Sequence, residues 1–329
     1  MKKTAVVFAF IAGGVIATAS QAIATAFKSY EVPTAHALPT RITADPRGGI
    51  WFIEANTNKI GRFDSSGESF AEFDIPTTRS FPSDIVVSGN GKVWFTEQDA
   101  NQLGVFDPAS RSFEEFDIPT VGSLPYRIAS DERGNIWFTQ FYGNKIGMFD
   151  PEKKIFREYS VPTLSSQPTG IVVDQKGRVW FIETQANKLG MLNPENGGIK
   201  EYELPSPFEV PKDLAIDQSG LIWFAGRKSG KLMAFSPSTE SFKIFTLPGG
   251  GVIEGLVVSE DGKIFFSLGR AGKMGAFDPK RERFLEIDVL LGDSQLKDID
   301  IDNNGRIWLV DIKKSVLVQI DAKAVSTLW

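Results

Sequence analysis

The stretch Leu124–Asp150, LPYRIASDERGNIWFTQFYGNKIGMFD, reads as strand, glycine turn, strand, polar turn, strand, and it recurs along nearly all of the 329-residue chain. Its tryptophan belongs to a series, Trp51, Trp94, Trp137, Trp180, Trp223, Phe265 and Trp308, whose successive members lie 43, 43, 43, 43, 42 and 43 residues apart. Apolar residues within each copy alternate instead of recurring at three-to-four spacing, so the units are strands and not helices. A period of about 43 residues with four short strands per copy is the signature of a propeller blade. Seven copies predict an all-β chain: a seven-bladed β-propeller of four-stranded antiparallel blades.

In the quoted copy, strand A is expected over 127–130 and runs into a D-x-x-G turn, Asp131 to Gly134. The turn recurs at Asp45/Gly48, Asp174/Gly177, Asp217/Gly220 and Asp302/Gly305, with Ser88/Gly91 and Ser259/Gly262 as variants. Glycine supplies positive φ there, and the acidic residue can bond the turn backbone. Strand B, 136–140, is apolar and aromatic, as burial between blades requires. Strand C, 145–149, follows a polar turn with Asn144 and carries Gly147, matched by Gly61, Gly104 and Gly190. Its expected role is close backbone packing between blades. Strand D is expected over 156–161, closed by Pro162.

Residues 1–26 stand outside the repeat. Lys2 and Lys3 precede an apolar run, Ala5 to Ala19, followed by small-residue sites such as Ala24-Thr25-Ala26. This is the pattern of a secretory signal peptide, too short for a convincing membrane span. It leaves 27–329 as a single propeller domain, periplasmic or secreted and expected to act as a monomer. Phe27 to Val32, FKSYEV, matches the D strand FAEFDI at Phe70 to Ile75, again 43 residues on. A D strand placed before the first A strand belongs on the outer edge of the last blade, where it closes the ring and hides an open edge. The irregular tail, 321–329, either extends that edge or competes for it.

Hydrophobic content of 42% and aromatic content of 12% suffice for a packed core. A formal net charge of −5, or −7 without the two N-terminal lysines, excludes a nucleic-acid backbone as a natural partner. The chain has no cysteine, which excludes disulfides, thiolate metal sites and cysteine nucleophiles. Its one histidine, His36, lies in the loop leading to blade one, so neither a histidine-rich metal cage nor a histidine relay can form. A hard cation such as magnesium or calcium, held by carboxylates, remains compatible with the composition.

Chemistry in a propeller belongs at the channel mouth, where strand A starts and strand B ends. Two residues before the strand A aliphatic stand Thr40, Ser83, Tyr126, Thr169, Lys212, Glu254 and Lys297. The next position holds Arg41, Asp84, Arg127, Gly170, Asp213, Gly255 and Asp298. Three residues after the aromatic marker stand Glu54, Glu97, Gln140, Glu183, Gly226, Leu268 and Asp311. The first two sets vary while the structural positions of the repeat barely do, as a ligand site requires; a solvated, mutually neutralised channel has the same composition. Arg41, Asp84, Tyr126, Arg127, Asp213 and Asp298 are therefore the candidate ligand-binding residues. The recurrence of Glu54, Glu97 and Glu183 indicates a structural role, such as binding the backbone of a neighbouring blade.

The repeat P-x-x-I-x-x-D-x-x-G-x-I-W-F-T-E-x-x-x-N-K-I-G-x-F, clearest at 124–150 and in QPTGIVVDQKGRVWFIETQANKLGML at 167–192, resembles the streptogramin B lyase (virginiamycin B lyase) family of seven-bladed propellers over about residues 27–320. The resemblance implies ring-opening elimination of a depsipeptide lactone, helped by magnesium. It also implies histidines in a P-H-x-I pattern at the start of strand A in blades six and seven, with a tyrosine at the equivalent place in blade one. By repeat order those positions hold Glu254, Lys297 and Thr40. Tyr126 stands in a matching P-Y-x-I, but in blade three. The fold transfers more readily than the reaction. Three functions compete: a propeller binding a small polar molecule or an envelope protein at its mouth; a lyase or lactonase with Glu254 as base and Lys297 or Lys212 stabilising an enolate; and a structural module of an envelope complex.

Overall fold

The computed structural model describes residues 27–206, 209–227, 229–289 and 291–326. The expected signal peptide, 1–26, lies outside the described residues. Seven four-stranded antiparallel sheets are arranged as blades. In blade three the strands are Pro125–Ser130, Ile136–Gln140, Lys145–Asp150 and Ile155–Ser160, with strand D one residue earlier than the sequence indicated. Among the described residues, no helix is long and apolar enough to cross a membrane.

The ring closes with Phe27–Glu31 as the outer strand of blade seven, paired antiparallel with Val316–Asp321 in the register Phe27 to Ile320 through Glu31 to Val316. Tyr30 fixes this strand by packing its ring 4.4 Å from that of Phe63 in blade one and 6.1 Å from Trp308 in blade seven. Within the described residues, to 326, the tail does not compete for the edge. Ala322–Ser326 is a short helix, and its Val325 is buried in the same apolar cluster that Phe27 packs against.

The core lies between blades. Trp137, for example, packs with Val161, Ile171, Val179 and Phe181 across the junction of blades three and four. The D-x-x-G aspartate does more than hold its turn. Asp131 accepts the N–H groups of Arg133 and Asn135 at Oδ1, and at Oδ2 it accepts the Trp137 indole N–H at 2.9 Å. The same indole bond recurs at Asp45, Asp174, Asp217 and Asp302. A buried indole needs an acceptor, and the acid supplies it in five of the seven copies; Ser88 replaces it before Trp94 and Ser259 before Phe265.

The strand C glycines pack differently from expectation. Gly147 lies opposite Phe138 of its own blade, and a Cβ there would come within 2.1 Å of the Phe138 ring. Gly61 and Gly190 meet Phe52 and Phe181 in the same way. The close approach is therefore within a blade, a ring folded over the neighbouring strand, and not between blades. Asn144 clamps successive blades: Nδ2 donates to the carbonyls of Val161 and Thr163, and Oδ1 accepts from Ser166 N–H and Oγ.

Glu54, Glu97 and Glu183 are fully buried at the ends of their B strands. Their role is structural, yet they bind no neighbouring backbone. Both oxygens of Glu97 and of Glu183 lack a donor, as does one oxygen of Glu54. Burial raises all three carboxyls, helped by the facing D-strand glutamates Glu72, Glu115 and Glu201, to about 7, 7 and 8 respectively. Blade three shows why: Gln140 stands at this position and donates Nε2 to Glu158 at 2.8 Å. A protonated glutamate is the acid analogue of that amide donor.

These raised values set a pH dependence. The unfolded groups titrate near ~4.3, so the native state holds the extra protons. The associated stability is complete below that pH and is lost as pH rises through about 7 to 8. Glu183→Gln, which copies blade three, should raise Tm on the order of 2–4 °C at pH 8.5 and change it little at pH 5. Thermal melts of both proteins across pH 5–8.5 check this; a uniform loss of stability in the variant would show that Glu183 is ionised.

Candidate functional site at the channel mouth

Strand A of blade three does not pair regularly with strand B. Its register shifts between Pro125 and Ile128, a bulge that also interrupts blades one, two, four, six and seven. Bulges re-aim side chains and leave a backbone group unpaired. The freed N–H of Arg127 is taken up by Thr139 Oγ1 at 3.1 Å, and Asp84 and Gly255 use Thr96 and Ser267 likewise. The extra residue turns Tyr126 and Arg127 toward the channel.

Five of the six predicted ligand-binding residues meet as one ionic network. Arg41 lies 2.9 Å from Asp298, 3.9 Å from Asp84 and 4.0 Å from Asp213. Arg127 lies 3.3 Å from both Asp84 and Asp213. Arg41, Asp84, Arg127 and Asp298 are buried. The second oxygens of Asp84 and Asp298 accept the backbone N–H groups of Ile128 and Ile42, stapling each innermost strand to the next blade. Burial works against the Arg41 charge, but Asp298, Asp84 and Asp213 raise its proton affinity further still. Burial, with Asp298 and Asp84, pushes Asp213 up despite the two arginines. This network is thus chiefly a structural hub, and its aspartates are already engaged.

Above the hub lies the variable ring. Tyr126, the sixth predicted residue, is half-buried beside Arg127, whose Cζ is 5.9 Å from its ring centroid. Burial opposes ionisation of the phenol, but Arg127, Arg41, Lys212 and Lys297 together pull it below the usual tyrosine range. Four cations therefore act on one hydroxyl. Lys212 has no ion-pair partner among the described residues. Arg127 keeps Nε and Nη2 without a hydrogen-bond acceptor.

Glu254 and Lys297, proposed as base and enolate stabiliser, do meet, at 2.9 Å. Arg227, not singled out in the sequence, closes on the other oxygen of Glu254. Burial would raise this carboxyl, but Lys297 and Arg227 hold it below the ordinary range. A carboxylate neutralised by two cations is a poor general base, so the geometry argues against Glu254 in that role. Lys212, the other proposed stabiliser, makes no ion pair with Glu254.

Magnesium, which the family resemblance implies, does not fit these residues. Among the described residues, no group of three or more histidines or carboxylates is placed to hold a metal ion. Arg41 fills the space between Asp84, Asp213 and Asp298, and the outer mouth is lined by cations that repel another.

Two aromatic residues flank the mouth on the side of blade three. Phe141 and Tyr142 occupy the loop between strands B and C of blade three. Their N–H groups are held by the carbonyls of Leu124 and Ser123, where Leu124 takes a φ of +52° before Pro125. Ring centroids run Tyr126 to Phe141, 5.7 Å, and Phe141 to Tyr142, 5.1 Å. The signal for Arg227 and Phe141 was available: both stand one residue beyond the third set of mouth positions, where the repeat also carries Ala55, Gln98 and Thr184.

The sequence profile of the virginiamycin B lyase family matches residues 5–235. The structure of virginiamycin B lyase from Staphylococcus aureus superposes with a TM-score of 0.84 at 23% identity, covering 90% of this chain and 98% of that one. A streptogramin B lyase structure gives 0.84 at 25% identity, covering 89% and 96%. The extracellular domain of a B. thetaiotaomicron protein described as a hybrid two-component system gives 0.69 at 17%, covering 87% of this chain and 40% of that one. No curated protein sequence matches the chain.

Breaking the hub should be costly, because a lost partner leaves like charges buried together. Arg41→Ala should lower unfolding free energy by about 3–5 kcal/mol. Denaturant titration checks this; a loss under about 1 kcal/mol would mean that the hub behaves as a surface ion pair.

Proposed function

The chain belongs to the virginiamycin B lyase family, and on that premise we propose that it is an extracytoplasmic binding propeller whose mouth takes a small anionic ligand, without streptogramin lyase activity. The observation that carries this reading is the surplus of cations at the mouth: Arg41 and Arg127 in the hub, Lys297 and Arg227 on Glu254, and Lys212 without an ion pair among the described residues. The acidic side chains nearby are consumed by the hub and by the Glu254 pairs, so five cations, Arg227 included, face four carboxylates. A cationic well on a chain of net charge −5 concentrates anions by focusing the field in a low-dielectric recess. The apolar run at Ala5 to Ala19 and the extracellular domain among similar folds support a periplasmic or secreted location.

Loss of the family reaction is supported by the identity of the residues. Glu254 and Lys297 stand where the family pattern has histidines and are tied to one another. His36 is exposed in the loop before blade one.

Titration calorimetry with a panel of small carboxylates and their amides tests the reading. Carboxylates should bind and amides should not, and Lys212→Glu should weaken binding at least about tenfold, the loss of one favourable charge contact at a partly desolvated site. Equal binding of acids and amides would refute an anion site. A streptogramin B depsipeptide incubated with the protein and magnesium should remain cyclic; linear product would restore the lyase.

A further inference from the structure

The rim around blade three is unusually apolar for a solvated edge. Val121 is 93% exposed, Leu164 86%, Tyr142 67% and Phe81 42%. Val121 and Leu164 occupy the same position in consecutive loops from strand D to strand A, 43 residues apart, and Phe81 immediately precedes strand A of blade two. All four stand on the mouth face, because those loops and the loops from B to C emerge there. The row Tyr126, Phe141, Tyr142 runs from beside Arg127 out to Tyr142, with successive ring centroids 5.7 and 5.1 Å apart.

Exposed apolar side chains scattered singly mean little. These have a direction. They extend outward on one side from the cationic well, and the opposite wall of the mouth carries Lys212, Arg227, Glu254 and Lys297. The 141–143 loop is held by the bonds from Phe141, Tyr142 and Gly143 to the carbonyls of Leu124 and Ser123, so the aromatic part of this surface is preformed. A ligand that matched both parts would carry a single negative head and an apolar body.

We propose that the ligand is an amphipathic carboxylate. Its head sits in the well beside Lys212 and Lys297, and its aromatic or aliphatic body lies across Phe141, Tyr142 and Val121 on the third-blade rim. This rests on the anion-binding reading above and adds to it the class of ligand. The apolar contact should be worth more than the charge in discriminating ligands, since every carboxylate satisfies the well alike and only the body touches the rim. The aromatic row offers ring contacts to a planar body and plain apolar area to an alkyl one.

The experiment compares 2-naphthoate, octanoate and gluconate by calorimetry on the intact chain. The proteins are the parent, Tyr142→Ser, Phe141→Ser and Lys212→Glu. Naphthoate, octanoate or both should bind at least about tenfold tighter than gluconate, as burial of a few methylene equivalents requires. A gain for naphthoate alone assigns ring contact, and a gain for both assigns apolar area. Tyr142→Ser should erase most of that gain while leaving gluconate unchanged. Phe141 is half-buried, so the exposed Tyr142 and a further Val121→Ser variant keep the test valid if Phe141→Ser does not fold. Gluconate binding as tightly as the apolar acids, or the tighter-binding apolar acid unaffected by both Tyr142→Ser and Val121→Ser, would overturn the proposal while leaving the anion site standing. No binding of any of the three acids, with Lys212→Glu silent, would remove the anion site and this proposal together.

Discussion

Seven innermost strands converge on one axis, and whatever charges they carry there must neutralise one another in a space with little water. Arg41 and Arg127 among Asp84, Asp213 and Asp298 are this chain's solution. Buried ion pairs contribute little net stability when they can be replaced by apolar packing. Their value here is positional: each of Asp84 and Asp298 also staples a neighbouring strand through a backbone N–H. Blade seven is joined covalently to blade one only through its outer, N-terminal strand; its other three strands are held at that junction by pairing with that strand, by Asp298 and by Asp300 accepting the Ala44 N–H at 2.7 Å.

The hub has a chemical consequence for the mouth above it. Carboxylates that could attract a cation are engaged below, and the side chains left to act on Tyr126 are cations. The same accounting separates Glu254 from Lys212. Glu254 is closed between Lys297 and Arg227, while Lys212 has no ion pair among the described residues. A ring that looks evenly mixed in sequence is uneven in space.

A second consequence of the repeat lies farther from the axis. Three blades bury a glutamate where a fourth has Gln140, and only the protonated acid can reproduce the amide's hydrogen bond to the facing glutamate. In the fifth blade the position is Gly226, and Glu209 from the preceding loop fills its space, bonding Ser229 and 3.1 Å from Lys231. The hydrogen-bonding need is retained although the residue that meets it has moved. Identical blades tolerate such exchanges because each junction is a local contact between neighbours.

The fold was legible in the sequence because a blade is a short-range object. Alternation, the D-x-x-G turn and the spacing of the Trp137 series all lie within 43 residues, and repetition made them unmistakable; even ring closure followed from one extra D-like segment, Phe27 to Val32. The mouth residues were equally legible as a set, since positions that vary within a constant repeat stand out. Their partnerships were not. Arg41 and Asp298 are 257 residues apart, and only closure of the ring makes them neighbours. The packing of Gly147 under Phe138, the raised pKa of Glu183 and the pairing of Arg227 with Glu254 likewise depend on which side chains share a buried space. The sequence by itself determined seven blades and the positions that line their axis. The tertiary structure decided which charges cancel and which remain, because cancellation is settled by distance and burial across blades, and neither is written in the order of residues.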